Sequence, residues 1–186
     1  MNADWNKLQR LMVFLKSTRD ECLKLSIDDT HTARWYIDAA YAVHPDMRSH
    51  TGAFLTLGRG AFISSSGKQK INTRSSTEAE LIGVDDLIST VIWTKLFLEE
   101  QGMKLKTTII FQDNTSAMQL ENKGLMSTGR RSRHLNIKYF FITDMIKRNE
   151  VQVQYCATAN MIADYFTKPL QGSTFKRFRT GILNLY

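Results

Sequence analysis

Four acidic residues occupy positions in the sequence from which their carboxylates can reach a common point. Asp38 lies inside a run of β-branched and aromatic residues, and Asp113 ends the short run TTIIFQD. Glu80 falls in the first turns of a long predicted helix, and Asp164 near the start of a shorter one. Carboxylates at strand ends and helix starts can converge on one edge of an α/β sheet. Such oxygen ligands suit Mg²⁺, and two such ions can clamp an in-line phosphoryl transfer.

Each of these acids also has a purely structural interpretation. Asp113 precedes Asn114 and could cap a helix N-terminus, while Asp164 could be a favourable charge near a helix start. Asp38 is harder to explain in this way, because an acid inside a strand beside aromatic residues is costly without a ligand. The residues alone leave both interpretations open.

The stretch RSSTEAEL (residues 74–81) contains two glutamates that a helix separates by about 200° around its axis, so they cannot face one site. Glu80 continues an apolar stripe and is predicted to face the sheet. That stripe contains Val84, Leu87, Val91 and Leu98. Glu78 is predicted to lie on the wetter side, three residues after Ser75, where it fits a capping box. Thr77 and Glu80 have the same spacing, so the stripe decides the assignment.

Hydrophobic periodicity and turn residues predict the elements that carry these acids. Three strands come first, followed by a helix from about Ser76 to Gln101 that Gly102 ends. A strand, two helices, a strand and a last helical segment follow. The corresponding runs are ARWYIDAAYAV, GAFLTLG, GAFISSSGK, TTIIFQD, NTSAMQLE, SRHLNIKYFFITDMIKR, EVQVQYCAT and NMIADYFTK. This order predicts an α/β domain with a mixed sheet. Trp93, opposite Glu80 on the long helix, is predicted to pack in a core.

Length and composition favour one medium domain that binds a polyanion. The chain has 186 residues, 42% of them hydrophobic, and a net charge of +7. Basic clusters at GRRSRH (129–134) and KRFR (176–179) strengthen the expectation of a phosphate-bearing partner, although solubility alone would also account for the charge. No apolar run approaches the roughly 20 residues that span a bilayer. Cys22 and Cys156 lack metal-binding spacing and are expected to be free thiols in a reducing compartment.

The N-terminal region is predicted to be separate from the rest. Residues 5–16 form an amphipathic helix by their spacing, and the polar run SIDDTHTAR (26–34) indicates a boundary. The apolar residues of that helix are Leu8, Leu11, Met12 and Leu15.

Five motifs together resemble one family. YIDAAY, SSTEAEL, FQDNTSAM, RSRHLNIKYFF and IADYFTKPL are similar in order and spacing to the ribonuclease H domain of copia-type LTR retrotransposon polyproteins, over about Arg34 to Leu170. The leading run DWNKLQRLMVFLKSTRDECLKL resembles the tail of the preceding reverse transcriptase region. The resemblance implies an N-terminal segment over residues 1–30 and a ribonuclease H domain over residues 31–186. It also implies a ribonuclease H-like fold, a five-stranded mixed sheet flanked by helices.

The same resemblance implies an activity, a cofactor and partners. The activity is hydrolysis of the RNA strand of RNA–DNA hybrids during reverse transcription, with two Mg²⁺ or Mn²⁺ ions. The family's four acids fall on Asp38, Glu80, Asp113 and Asp164, with Asp38 bridging both ions, Glu80 and Asp113 holding one, and Asp164 the other. The implied partners are the hybrid and the reverse transcriptase domain of the same polyprotein. The implied location is a cytoplasmic virus-like particle, or the nucleus.

One departure from cellular ribonucleases H concerns a histidine. Cellular type 1 enzymes carry a catalytic histidine in a loop between the last strand and the last helix, whereas CATANMIAD contains none. His134 is the candidate to replace it as a catalytic residue or to bind phosphate, and an ordinary helix histidine is the alternative.

Residues near the acids are candidates for binding the hybrid through its shape and backbones. Arg74, Ser75 and Ser76 precede or begin the long helix, whose N-terminal amides can hold a phosphate. The other candidates are Asn114, Arg130, Arg131, Arg133, His134 and Lys138. A solvated surface is the alternative for the arginines.

Two other functions are compatible with the same fold. A catalytically silent hybrid-binding or connection module is one, and another nuclease or strand-transfer enzyme of the superfamily is the second. The presence of all four acids argues against the silent module.

Overall fold

A computed structural model of the chain describes residues 2–123 and 141–186. Seven β-strands run through these residues, and five of them form the central sheet. The five are β2 (Thr32–Ala40), β3 (His50–Thr56), β5 (Ile63–Lys68), β6 (Thr107–Gln112) and β7 (Gln152–Tyr155). Two short strands, β1 (Ser26–Ile27) and β4 (Gly58–Arg59), pair antiparallel in a small second sheet.

Helices flank the central sheet. They are α1 (Asn2–Thr18), α2 (Ser76–Glu100), α3 (Thr115–Lys123), α4 (residues 141–147), α5 (Asp164–Thr167) and α6 (Gly172–Leu183). A 3₁₀ turn at Thr158–Asn160 follows β7. Among the described helices, none combines the length and apolar composition that a membrane crossing requires.

The central sheet is mixed, with the strand order β5-β3-β2-β6-β7. β3 pairs antiparallel with both β2 and β5, whereas β6 runs parallel to β2 and β7 parallel to β6. The long helix α2 leads from the antiparallel part of the sheet to the parallel part. The predicted α/β class with a five-stranded mixed sheet is confirmed.

Helices cover both faces of the sheet. On one face the apolar stripe of α2 packs on inward-facing residues of β2, β3 and β6. This cluster includes Trp35, Ile37, Leu55, Val84, Ile88, Val91, Leu98 and Ile110. On the other face, residues of α5 and α6 pack around Phe54, with Ala61 and Ile182 among the buried members. The acids therefore lie at the edge of a sheet whose two faces are both closed.

Helix α6 was missed by the sequence prediction, which found only a basic cluster at residues 176–179. Phe175, Phe178 and Ile182 are spaced by three and four residues, which is the helical period. Phe178 and Ile182 are buried, and the backbone N–H of Ala61 donates to the carbonyl of Ile182 at 2.8 Å. The charged residues between them lie on the helix surface and obscured the period.

The N-terminal segment contacts the C-terminal helix. The rings of Phe14 and Phe175 meet edge to face with centroids 5.8 Å apart. The guanidinium of Arg179 pairs with Glu21 at 3.0 Å. The polar connector predicted over residues 26–34 is wrong in part, because β1 and the start of β2 lie within it. The predicted amphipathic stripe of α1 faces solvent. Its exposed residues are Trp5, Leu8, Leu11, Met12, Val13 and Leu15.

The prediction that Trp93 packs in a core is wrong. Its side chain is 60% exposed and stacks on Phe97, with ring centroids 5.1 Å apart and an interplanar angle of 10°. The face of α2 that carries Glu80 packs on the sheet, so the opposite face is left to solvent along the helix.

Candidate active site

Three carboxylates from three elements meet at one edge of the central sheet. Asp38 comes from β2, Glu80 from the second turn of α2, and Asp113 from the residue after β6. Each offers one oxygen, and these oxygens all lie within 4.8 Å of one another. β2 and β6 are parallel neighbours, with Tyr36 paired to Phe111, so Asp38 and Asp113 both lie beyond that pair at the same edge. We call these three residues the triad.

The fourth acid, Asp164, is brought to the triad by the close packing of α5 on β3. Gly52 is paired with Asp38 across the sheet. A Cβ at Gly52 would lie 2.7 Å from Cγ2 of Thr167 and 2.9 Å from the carbonyl of Ala163. Only a residue without a side chain allows α5 to approach this closely. Asp164 is buried there, with the charges of Asp38 and Asp113 near enough to affect its ionisation.

The triad brings three acidic side chains together where two of them, Asp38 and Glu80, are buried. Asp38 is 1% exposed and Glu80 is 5% exposed. Burial, followed by the charges of Asp38 and Asp113, raises the pKa of Glu80 from 4.5 to about 9. Among the described residues, none is a hydrogen-bond partner of Glu80 Oε2. A hard divalent cation supplies what this arrangement lacks, because it binds carboxylate oxygens and favours their charged form. The donor set therefore fits a metal ion.

A lysine lies beside the fourth acid. The ammonium of Lys168 is 2.7 Å from Oδ1 of Asp164 and 3.6 Å from Oδ1 of Asp38. Burial raises the pKa of Asp164 to about 6, against the effect of its hydrogen bond with Lys168. Sequence reasoning missed Lys168, although its spacing of four residues from Asp164 is the spacing of helical ion pairs. We call Asp38, Asp164 and Lys168 the lysine half of the site.

Two threonine hydroxyls orient the carboxylates. The hydroxyl of Thr167 donates to Oδ2 of Asp38, and the hydroxyl of Thr158 donates to Oδ2 of Asp113 at 3.0 Å. Hydrogen bonds of this kind fix the direction in which a metal ligand points. Both threonines come from the segment after β7, so this segment supplies orientation as well as Asp164. No sequence signal singled them out.

The two glutamates at the start of α2 have different roles: Glu78 takes part in the helix cap, and Glu80 belongs to the triad. The backbone N–H of Glu78 donates to Ser75 Oγ at 3.2 Å, and the backbone N–H of Arg74 donates to Glu78 Oε2 at 2.6 Å. These bonds confirm that Glu78 takes part in the helix cap, although its carboxylate accepts from Arg74 and not, as in a capping box, from the N-cap residue Ser75. The prediction that Glu78 lies on the wetter side is wrong, because the side chain folds back over the helix start and is buried.

Asn114, rather than Asp113, caps α3. Its Oδ1 accepts the backbone N–H groups of Ser116 and Ala117, each at 3.1 Å. The capping interpretation of Asp113 is therefore wrong, and its carboxylate is left to the triad. The oxygen of Asn114 is engaged, so a contact from Asn114 to nucleic acid would have to use its amide nitrogen.

The remaining candidates for nucleic-acid binding divide into two groups. Arg74, Ser75 and Ser76 are exposed at the N-terminus of α2, two turns or less from Glu80. The others lie outside the described residues. These are Arg130, Arg131, Arg133, His134 and Lys138. Their roles in binding or catalysis stay predictions.

Relatives of the chain are found among transposon polyproteins. A retrovirus-related Pol polyprotein from transposon RE2 of Arabidopsis thaliana is 32% identical over 180 residues, which are 96% of this chain and 12% of that protein. The retrovirus-related Pol polyprotein from transposon TNT 1-94 of Nicotiana tabacum is 30% identical over 173 residues, 92% of this chain and 13% of that protein. This chain spans about an eighth of the length of these relatives. No protein-family model matches the sequence.

Solved structures similar to this one decide the fold. LC11-RNase H1, isolated from compost by a metagenomic approach, is similar with a TM-score of 0.52 and 15% identity, covering 73% of this chain and 92% of that one. The crystal structure of LC11-RNase H1 in complex with an RNA/DNA hybrid gives the same TM-score and covers 72% and 92%. This chain has the ribonuclease H fold. Its relatives are Pol polyproteins of copia-type plant transposons, and the resemblance predicted from the motifs is confirmed.

Proposed function

We propose that this chain hydrolyses the RNA strand of RNA–DNA hybrids with two divalent metal ions, as part of reverse transcription. The observation that carries the proposal is the meeting of the Asp38, Glu80 and Asp113 oxygens at one edge of a ribonuclease H fold. Asp164 lies beside them. The hybrid bound in the LC11-RNase H1 crystal structure supports the choice of substrate class.

The four acids would divide between two ions. Asp38, Glu80 and Asp113 would hold one ion, and Asp38 and Asp164 would hold the other, with Mg²⁺ the expected cofactor and Mn²⁺ a substitute. When bound, a metal pair activates the attacking water and stabilises the leaving oxygen of an in-line displacement. The hydroxyls of Thr167 and Thr158 bond to Asp38 and Asp113 and would keep these carboxylates directed towards the ions.

The hybrid would be held beside this edge by backbone contacts. A hybrid is recognised through its shape, its 2′-hydroxyls and its phosphates. At the exposed N-terminus of α2, the amides of Ser75 and Ser76 and the guanidinium of Arg74 would bind a phosphate. The backbone amide of Arg74 is already bound to Glu78. The net charge of +7 supports a polyanionic ligand. We propose that basic residues outside the described part of the chain also contact the hybrid. These are Arg130, Arg131, Arg133, His134 and Lys138.

The partner protein would be the reverse transcriptase region of the same polyprotein. The relatives are Pol polyproteins of which this chain matches about an eighth. One face of α1 is fixed to α6 through Phe14 and Phe175, while the apolar stripe on α1 faces solvent. A neighbouring domain of the polyprotein would cover that stripe, with residues 1–30 as the connecting segment and 31–186 as the ribonuclease H domain. The site of action would be the polyprotein's particle in the cytoplasm, or the nucleus.

Cleavage of a labelled hybrid tests the proposal. The chain is incubated with an RNA–DNA hybrid and Mg²⁺, beside Asp113→Asn and a control, Asp144→Asn. The control neutralises an acid on α4 that pairs with Arg148. The proposal predicts cleavage of the RNA strand by the wild-type chain and the control, and none by Asp113→Asn. Tight hybrid binding without cleavage would support a silent module instead. Cleavage of double-stranded DNA would support another nuclease of the superfamily.

A further inference from the structure

Lys168 lies where a second ion would have to bind. Its ammonium lies 2.7 Å from one oxygen of Asp164 and 3.6 Å from one oxygen of Asp38. The side chains of these two acids are 9% and 2% exposed, whereas that of Lys168 is 36% exposed. The ammonium therefore lies between two buried carboxylates, while part of its stem remains in contact with solvent.

The four acids differ in whether a protein cation pairs with them. Within residues 2–123 and 141–186, Lys168 is the one basic side chain within ion-pair distance of any of the four acids. Glu80 and Asp113 have no such partner among these residues. An ion at the triad thus meets the ammonium only at Asp38, where it lies 3.6 Å from Oδ1. An ion between Asp38 and Asp164 meets it at both acids, including the shorter contact of 2.7 Å to Asp164.

We propose that Lys168 is the resident counter-cation of the Asp38–Asp164 half of the site, and that it must leave before a divalent ion binds there. The ammonium and a divalent ion at these oxygens would lie at contact distance from each other, where their mutual repulsion is large. The side chain of Lys168 has a flexible stem of four carbons and is partly exposed, so its ammonium can move away from the two carboxylates by a change of rotamer. The inference rests on the proposed function, since it concerns the second ion of that site.

The consequence is an order of binding. The triad takes its ion first, with ordinary affinity. The Asp38–Asp164 half takes its ion later and more weakly, because the energy of the lysine ion pair must first be overcome. Lys168 acts on the reaction through the two carboxylates and is therefore a positioning residue.

Manganese binding to the intact chain tests this order without any measurement of cleavage. Free Mn²⁺ is followed by electron paramagnetic resonance during titration of wild type, Lys168→Gln, Lys168→Arg and the matched control Lys70→Gln, an exposed lysine on the loop after β5. We expect one tighter and one weaker ion in the wild type. Lys168→Gln should tighten the weaker ion by about tenfold or more and leave the tighter ion nearly unchanged. Lys70→Gln and Lys168→Arg should resemble the wild type.

A second readout separates the role of Lys168 from that of a merely structural ion pair. Without divalent ions, Lys168→Gln should melt at a lower temperature than the wild type, and saturating Mn²⁺ should narrow or reverse that difference. An affinity of the weaker ion that is unchanged or reduced in Lys168→Gln would overturn the inference, while the proposed function would stand. A wild-type chain that binds no Mn²⁺ would overturn both. If Lys168→Gln does not fold, Lys168→Arg still decides: a weaker ion tightened tenfold despite the retained charge would refute the counter-cation role.

Discussion

The triad and the lysine half share Asp38 but solve the problem of buried charge differently. In the triad, Glu80 and Asp113 have no ion-pair partner among the described residues, and burial, followed by the charges of Asp38 and Asp113, raises the pKa of Glu80 to about 9. In the lysine half, Lys168 lies against Asp164 and Asp38 and offsets part of the repulsion. One half depends on an ion from solvent, and the other carries a cation of its own. Neighbouring acids of one site can therefore differ in how much of their charge must be neutralised by a bound metal ion.

The largest effect should come from neutralising Glu80, the buried acid of the triad that has no ion-pair partner among the described residues. Glu80→Gln should reduce hybrid cleavage by more than about 100-fold, because loss of even an outer partner of a metal ligand costs 10–100-fold. Single-turnover cleavage in Mg²⁺ measures the effect, with Glu100→Gln at the exposed end of the same helix as the control. Cleavage by Glu80→Gln within a few-fold of the control would remove Glu80 from the site.

Removal of the two orienting hydroxyls should reduce cleavage to different extents. Thr167→Val keeps the shape and removes the hydrogen bond to Asp38, the acid that would serve both ions. We expect a loss of cleavage of about 10–100-fold. Thr158→Val removes the bond to Asp113 at an exposed position and should cost less. A larger loss for Thr158→Val than for Thr167→Val would contradict the central place given to Asp38.

The raised pKa of Glu80 predicts how stability without divalent ions depends on pH. Between 4.5 and about 9 the unfolded chain has lost a proton that the folded chain keeps on Glu80. This group therefore lowers the free energy of unfolding as pH rises through that range. Between these pH values, the free energy of unfolding of the wild type should fall by more than about 1.4 kcal/mol relative to that of Glu80→Gln. This figure corresponds to one pKa unit. Urea denaturation in a chelator at several pH values measures the difference, and parallel curves for the two proteins would contradict the prediction.

The smallest effect should come from the neighbouring glutamate. Glu78→Gln weakens a helix cap and should lower the free energy of unfolding by about 1 kcal/mol. Hybrid cleavage should stay close to that of the wild type, since Glu78 bonds to the backbone of Arg74 and not to the triad. Urea denaturation and the cleavage assay together separate the two glutamates. Loss of cleavage in Glu78→Gln with activity retained in Glu80→Gln would reverse the assignment.

The sequence predicted much of this arrangement because its signals were local. A run of β-branched and aromatic residues marked β2, and the apolar stripe that continues from Glu80 predicted which face of α2 meets the sheet. The carboxylates then followed from the rule that strand ends and helix starts share an edge.

The features that were missed depend on the tertiary structure. Helix α6 was hidden by the charges between Phe175, Phe178 and Ile182, and only the second face of the sheet gives those residues a place to pack. Trp93 was misplaced because its type favours burial, whereas its position on α2 decides its exposure. The approach of Thr167 to Asp38 depends on contact between α5 and Gly52, which lie more than a hundred residues apart in the chain.

A crystal of the chain soaked in Mn²⁺, with ions located by their anomalous scattering, tests the central claim most directly. The account predicts one ion among Asp38, Glu80 and Asp113 and a second between Asp38 and Asp164, about 3.5–4 Å apart, with Lys168 turned away from the second. Saturating Mn²⁺ that leaves the four acids without an ion would contradict it.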